Sequence, residues 1–119
     1  MHGADTREFL DNLNNLALLK LRQGQPIEGF MLSWQATTGH SRLMRTTECE
    51  VPLAIFTWGL ANAALGRMND AAKSLEKFQH LSKDRLAPDH PYLVETAKLI
   101  DELNKKGSRT ADKGAVNAH

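Results

Sequence analysis

The chain has 119 residues, of which 41% are hydrophobic and 24% charged, and these values are typical of a single globular domain with its own core. The formal net charge is +1, so no broad positive field exists to attract nucleic acid or an anionic membrane. The sequence has neither an apolar run of the roughly 18 residues that a membrane helix needs nor a basic and apolar leader. We therefore expect a cytoplasmic protein.

The two ends of the chain offer little to bury. The segment of residues 1–7 is short and polar, and residues 105–119 contain one valine, two glycines and scattered charges. Segments of this composition do not bury enough apolar surface to offset the entropy of ordering them. We predict a flexible N-terminus over residues 1–7, a folded domain over residues 8–104 and a disordered polar tail over residues 105–119.

The first predicted helix has apolar residues at steps of three and four, which places them on one helix face: Leu10, Leu13, Leu16, Ala17 and Leu21. Gly24 follows where a helix end requires positive φ, so we expect the helix to end there. Pro26 stands at a typical first-turn position and opens a second helix, which continues to about Ala36.

Residues 37–50 contain a central Gly-His-Ser and threonines near both ends. This segment is either a linker or a frayed helix end, and both alternatives stay open at the sequence level. The third predicted helix begins at Pro52 and is closed by Gly66. Asn69 is a candidate N-cap of the fourth helix.

A turn over residues 88–91 separates the fourth helix from a last one, which runs from Tyr92 to about Asn104. No alternating pattern is long enough to predict a strand. The predicted fold class is all-α.

An internal repeat is the most informative feature of the sequence. Residues 13–30 and 55–72 can be aligned on their turn glycines, Gly24 and Gly66. A small residue lies seven positions before each glycine and another lies five positions after it: Ala17 and Gly59, then Gly29 and Ala71. Small side chains at helix crossings let two backbones approach closely, so each unit is predicted to be a helical hairpin.

This spacing resembles the tetratricopeptide repeat, with Leu16-Ala17 and Trp58-Gly59 as the large–small pairs. The LNNLA run and the LAPDHP turn are similar to the longer-period variety of kinesin light chains. The resemblance covers about residues 8–104 and implies a short right-handed solenoid of helical hairpins, with about two repeats and a C-terminal capping helix. Gly29 departs from the family pattern, which has alanine there, and the third unit has only one helix.

In tetratricopeptide folds the first helix of each unit lines a concave groove that binds the partner. The resemblance implies that the following residues line such a groove: Asp11, Asn14, Asn15, Leu18, Leu21, Arg22, Phe56, Thr57, Leu60, Ala63 and Ala64. Side-chain amides can donate to and accept from a peptide backbone. The apolar members are expected either to receive an apolar face, such as an amphipathic helix, or to be covered internally by the N-terminal segment or the last helix.

No pattern in the sequence points to catalysis, a metal or a cofactor. The five histidines lack metal-ligand spacing, and the glycines are dispersed rather than gathered in a phosphate-binding loop. The only cysteine, Cys49, lies between Glu48 and Glu50, which disfavour its thiolate. Basic residues near positions 42–45 and 105–109 lack interleaved aromatic residues, so nucleic-acid binding is not expected.

The first functional hypothesis is therefore a non-enzymatic module, a small adaptor or chaperone that binds a helical or extended segment of another polypeptide. Small bacterial chaperones of the type III secretion pathway are similar in size and fold. The set of groove residues lacks the lysine-and-asparagine arrangement with which some relatives clamp a C-terminal carboxylate. The alternative is a structural protein that buries Phe56 and Leu60 in a homodimer. A regulatory nucleic-acid binder or an enzyme is a more distant third.

Overall fold

A computed structural model describes the backbone of residues 6–117 and the side chains of residues 6–106. It contains five α-helices: α1 (Arg7–Arg22), α2 (Pro26–Met44), α3 (Pro52–Ala64), α4 (Met68–Ser82) and α5 (Pro91–Asn117). No strand occurs within residues 6–117, which confirms the all-α prediction. Among these five helices, none is both long enough and apolar enough to cross a membrane.

The turns that join α1 to α2 and α3 to α4 have the same geometry. Gly24 and Gly66 adopt φ values of +75° and +76°, a region that residues with a side chain rarely occupy. The N–H of Gln25 donates to the carbonyl of Lys20 at 2.9 Å, and the N–H of Arg67 donates to that of Asn62 at 2.9 Å. In both turns the donor is the residue directly after the glycine and the acceptor is the residue four positions before it. The predicted equivalence of the two turns is therefore confirmed.

Small residues lie where the helices of each hairpin cross, as the repeat predicts. A Cβ added to Gly29 would lie 2.6 Å from Cγ of Leu21, and one added to Gly59 would lie 2.7 Å from Cγ of Leu75. Contacts this short leave no room for a side chain. We call α1 with α2 the first hairpin and α3 with α4 the second hairpin. The two pack together because α3 contacts both α1 and α2.

Helix α2 is longer than its predicted end at Ala36, because residues 37–44 continue the helix. Gly39 lies against α1 so closely that an added Cβ would be 2.3 Å from Cδ2 of Leu10. Ala36, Thr37 and His40 are buried along the same side. Packing against α1 thus outweighs the low helix propensity of the threonines and glycine, and the first part of the ambiguous segment is helix.

Two further helix ends differ from the predicted ones. Arg67, and not Asn69, occupies the N-cap position of α4, and no side chain caps that end. Helix α5 continues beyond Asn104 to Asn117, since no proline interrupts it. Residues 1–5 and the side chains from residue 107 onward lie outside the described part of the chain. The flexible N-terminus and the disordered tail therefore stay predictions.

The core joins α3, α4 and α5. Its buried apolar residues are Ile55, Phe56, Leu60, Ala71, Leu75, Phe78 and Leu103. The rings of Phe56 and Phe78 are tilted with centroids 5.0 Å apart, a separation favourable for aromatic pairs. Helix α5 therefore contributes to the same core as α3 and α4. Its position determines how much of the predicted groove stays open.

Candidate functional site

The structure divides the predicted groove residues into a covered set and an open set. On α3, Phe56, Thr57 and Leu60 are buried, with exposed fractions of 0%, 0% and 9%. Ala63 is half-buried and Ala64 is exposed. On α1 the residues nearer the C-terminal end, Leu18 and Leu21, are half-buried, whereas Asp11 and Asn15 are exposed and Asn14 is buried beside them.

Helix α5 covers the apolar part of the groove. The ring of Tyr92 stacks on that of Phe56, with centroids 4.4 Å apart and an interplanar angle of 15°. Leu18 and Leu21 pack against the core to which α5 contributes Leu103. Of the two alternatives for these apolar residues, the structure shows internal coverage: Tyr92 of the last helix covers Phe56, and Leu18, Leu21 and Leu60 belong to or pack against the same core. Phe56 and Leu60 therefore lie in the core and do not line an open groove.

A bidentate ion pair holds α5 against α1 at the same end. Nη1 and Nη2 of Arg22 donate to the two carboxylate oxygens of Glu95 at 2.5 Å and 2.8 Å. The hydrogen bond with Glu95 raises the pKa of Arg22, although burial acts in the opposite direction. Arg22, predicted to contact a partner, thus contacts the protein's own last helix.

The other end of the groove stays open as a cavity of about 520 Å³, which we call the polar cavity. It lies where the N-terminal ends of α1 and α3 meet the C-terminal ends of α2 and α4. Its lining joins polar and apolar side chains: Arg7, Asp11, Asn14, Asn15, His40, Val51, Pro52, Leu53, Ala54, Ser82, Arg85, Leu86, His90 and Tyr92. Three of the predicted groove residues, Asp11, Asn14 and Asn15, are therefore brought together here.

Asn14 is the most unusual residue of the polar cavity. Its side chain is 6% exposed, and Nδ2 donates to the backbone carbonyl of Leu53 at 3.4 Å. Oδ1 is buried and accepts no hydrogen bond from any residue that the structure describes. A buried carbonyl oxygen without a donor costs about 1–3 kcal/mol. Oδ1 of Asn14 thus keeps an unused acceptor in the wall of the cavity, although the atom itself is buried.

His40 is a cavity residue that the sequence did not single out. It is 1% exposed, and Nε2 lies 3.4 Å from Oδ1 of Asp11 without meeting the geometry of a hydrogen bond. Burial lowers the pKa of His40, while the charge of Asp11 raises it and that of Arg7 lowers it. The imidazole is therefore neutral at pH 7. No pattern around His40 could have revealed its burial, which follows from the extension of α2.

The rim of the polar cavity carries more positive than negative charge. Arg7 and Arg85 are exposed, and Asp11 is the exposed carboxylate among the lining residues. Arg7 Nε lies 3.9 Å from Oδ2 of Asp11, a loose and solvated pair. At the inner side, Nδ1 of His90 accepts from the backbone N–H of Tyr92 at 3.0 Å, which orients the ring. The cavity thus has the amide of Asn14 in its wall and the positively charged side chains of Arg7 and Arg85 at its mouth.

Cys49 lies outside the polar cavity and is half-buried. Burial raises the pKa of its thiol, and a backbone hydrogen bond to Val51 and the charge of Lys77 lower it by less. The thiol is therefore protonated at neutral pH. Within residues 6–106, no three His, Cys, Asp or Glu side chains are grouped in a way that could hold a metal ion.

No family model matches the chain, and no curated protein is significantly similar to it. The arguments about function therefore depend on the residues and their geometry.

Proposed function

We propose that the chain is a tetratricopeptide-like interaction module, a small adaptor or chaperone, that binds an extended segment of a partner polypeptide in the polar cavity. The observation that carries this proposal is the buried, unpartnered Oδ1 of Asn14 beside an open cavity. An extended peptide supplies a backbone N–H that can donate to this oxygen once the Asn14 amide turns towards the cavity. The turn geometry shared by Gly24 and Gly66 supports the repeat-like arrangement.

The size of the polar cavity favours an extended segment over a helix. A helix with its side chains is about 10–12 Å across and needs a long apolar groove. Helix α5 already fills the apolar part, where Tyr92 stacks on Phe56. A cavity of about 520 Å³ is within the usual range for compact ligands, so it suits a few extended residues.

The lining also suggests which segment would bind best. Arg7 and Arg85 at the mouth favour an acidic side chain in the partner, because charge complementarity speeds association and excludes cationic segments. Leu53 and Leu86 offer apolar surface for one aliphatic side chain beside it. We therefore expect a short motif that combines an acidic residue with an aliphatic one.

The proposal can be tested by selecting peptides from a random phage-displayed library against the full chain. The affinity of the best peptides is then measured for the Asn14→Leu variant. Leucine has a similar branched shape and removes both the acceptor and the 3.4 Å hydrogen bond to Leu53, so the protein should stay folded while peptide affinity falls at least tenfold. Asn12→Leu is the matched control, because Asn12 is exposed on the same helix and does not line the cavity.

Chemical-shift mapping with the same peptides identifies where they bind. Shifts centred on Asn14, Asn15 and Leu53 are expected. Peptides that bind Asn14→Leu and the original chain equally well, or that shift residues away from the polar cavity, would overturn the proposal.

A further inference from the structure

A second cavity, of about 410 Å³, lies between α2 and α4, both of which pack against α3. Ile55, Trp58 and Asn62 lie on one side of α3 by their spacing of three and four residues, and all three line the cavity. We call it the helix cleft. Its volume is within the usual range for small-molecule sites. Among the described residues, none lines both the helix cleft and the polar cavity, so the two are separate.

Asn62 has an unused hydrogen-bond acceptor in the wall of the helix cleft. The residue is 0% exposed, and Nδ2 donates to the backbone carbonyl of Trp58 at 2.8 Å. Oδ1 is buried too and accepts no hydrogen bond from the residues that the structure describes. Most buried polar atoms in proteins are paired, so an unpaired one requires an explanation. A ligand with an N–H or O–H group can donate to Oδ1 once the Asn62 amide turns towards the cleft.

Most charged side chains that line the helix cleft lie beside a charge of opposite sign. Nη2 of Arg67 is 3.1 Å from Oδ2 of Asp70. Nζ of Lys77 is 2.6 Å from Oε2 of Glu50, which lies outside the lining, and 3.9 Å from Oε2 of Glu48. Both acids of the lining, Glu48 and Asp70, are thus next to a cation, so the helix cleft has no free carboxylate that would favour a cationic ligand.

Lys73 of α4 is the lining cation that has no carboxylate partner among the described residues. It is exposed, and the half-buried Ser74 beside it also lines the helix cleft. The ammonium and the hydroxyl can both donate to an anion, and hydrogen bonds from a charged donor are about twice as strong as neutral ones. One unpaired positive charge matches one negative charge. A monocarboxylate therefore fits better than a phosphate, which carries about −1.5 to −2 at pH 7.

Trp34 of α2 supplies a flat apolar surface to the helix cleft. Its side chain is 54% exposed. Trp58 of α3 is half-buried and already packs on Phe30, with ring centroids 4.8 Å apart. Aromatic rings attract each other in offset-stacked or edge-to-face pairs, with centroids about 4.5–7 Å apart. The ring of a ligand can therefore pack on Trp34, while Trp58 holds its place through Phe30.

We propose that the helix cleft binds a small aromatic carboxylic acid that also carries an N–H or O–H donor. Its carboxylate lies at Lys73 and Ser74, its ring packs on Trp34, and its donor pairs with Oδ1 of Asn62. The three contacts come from α4, α2 and α3, so the ligand joins the two hairpins. The ring supplies the apolar contact, and the polar groups at either end fix the orientation of the ligand.

The probe is 4-hydroxyphenylacetate, which contains the carboxylate, the ring and the donor. Three related compounds each lack one of these features: 4-hydroxyphenylacetamide has no charge, 4-methoxyphenylacetate has no donor, and acetate has no ring. An NMR titration of the full chain with each compound measures affinity and location. The probe should bind with a Kd of about 1 mM or tighter, as its small size allows, and shift residues of the helix cleft. Each related compound should bind about fivefold or more weakly.

Three variants assign the contacts. Lys73→Glu should weaken binding of the probe about tenfold or more, because repulsion replaces attraction. Lys83→Glu is the matched control, since Lys83 is also exposed, follows the last residue of α4 and does not line the helix cleft. Trp34→Ala should weaken binding about fivefold or more through the loss of stacking. Asn62→Leu should abolish the preference for 4-hydroxyphenylacetate over 4-methoxyphenylacetate.

If Asn62→Leu does not fold, the comparison of these two compounds on the original chain still tests the contact. Peptides selected for the polar cavity should bind Lys73→Glu as they bind the original chain, so failure of one proposal does not imply failure of the other. A probe that shifts no residue of the helix cleft at concentrations up to about 10 mM would refute the proposal. Equal affinity of the probe for Lys73→Glu and Lys83→Glu would refute it too.

Discussion

Tyr92, near the start of α5, lies parallel to Phe56 of α3, with ring centroids 4.4 Å apart. This contact closes the apolar part of the groove, because Phe56 has no exposed surface once Tyr92 is in place. It also divides the predicted groove, which α1 and α3 line, into a filled part and the polar cavity. The position of α5 therefore determines which part of this surface stays open.

Phe56→Ala is expected to destabilise the protein by about 3–5 kcal/mol, because it removes a fully buried ring and leaves a cavity. Urea denaturation followed by circular dichroism measures the change. Val94→Ala is the control, since Val94 is 43% exposed and should change stability by about 0.5 kcal/mol or less. A Phe56→Ala variant of unchanged stability would show that Phe56 is not part of the core.

The close approach of α3 and α4 leads to a second prediction. A Cβ at Gly59 would lie 2.7 Å from Cγ of Leu75, a fully buried residue. Gly59→Leu should therefore overpack the crossing and destabilise the protein by about 1–3 kcal/mol or more. Ala64→Leu, at an exposed position near the end of the same helix, is the control. Equal melting temperatures for the two variants would contradict the register of the repeat.

The ion pair between Arg22 and Glu95 should contribute modestly to the docking of α5. Its side chains are 46% and 33% exposed, so solvent screens a large part of the attraction despite the bidentate geometry. A double-mutant cycle with Arg22→Met and Glu95→Gln should give a coupling energy of about 0.5–1 kcal/mol. The coupling should decrease in 1 M NaCl. A coupling near zero at low salt would mean that apolar contacts alone hold α5 in place.

The turns and crossings were predictable because local chemistry determines them. Gly24 and Gly66 adopt a backbone conformation that glycine tolerates best, so their positions in the sequence already predicted the two helix ends. The extension of α2 was not predictable in this way. Thr38 and Gly39 disfavour a helix by propensity, and packing of this segment against α1, including the contact of Gly39 with Leu10, outweighs that preference.

The coverage of the groove could not be determined from the sequence for a similar reason. Phe56 is apolar whether it faces a partner or the core, and the choice depends on where Tyr92 comes to lie. The polar residues were easier to interpret. The resemblance to the repeat predicts that Asp11, Asn14 and Asn15 lie on one helix face, and the three residues line one cavity.

The burial of His40 predicts how stability depends on pH. Burial lowers the pKa of His40 in the folded state below the ordinary value of 6.5. At pH values near and below 6.5 the unfolded chain therefore binds more protons than the folded one. Stability from this residue is therefore present above pH 6.5 and is lost as the pH falls towards the lowered pKa of the folded state. The free energy of unfolding should decrease between pH 7.5 and pH 5.5, and His40→Gln should flatten this decrease. His80→Gln is the control, because His80 is exposed. An NMR titration of His40 measures its pKa directly, and a value above 6.5 would contradict the predicted sign.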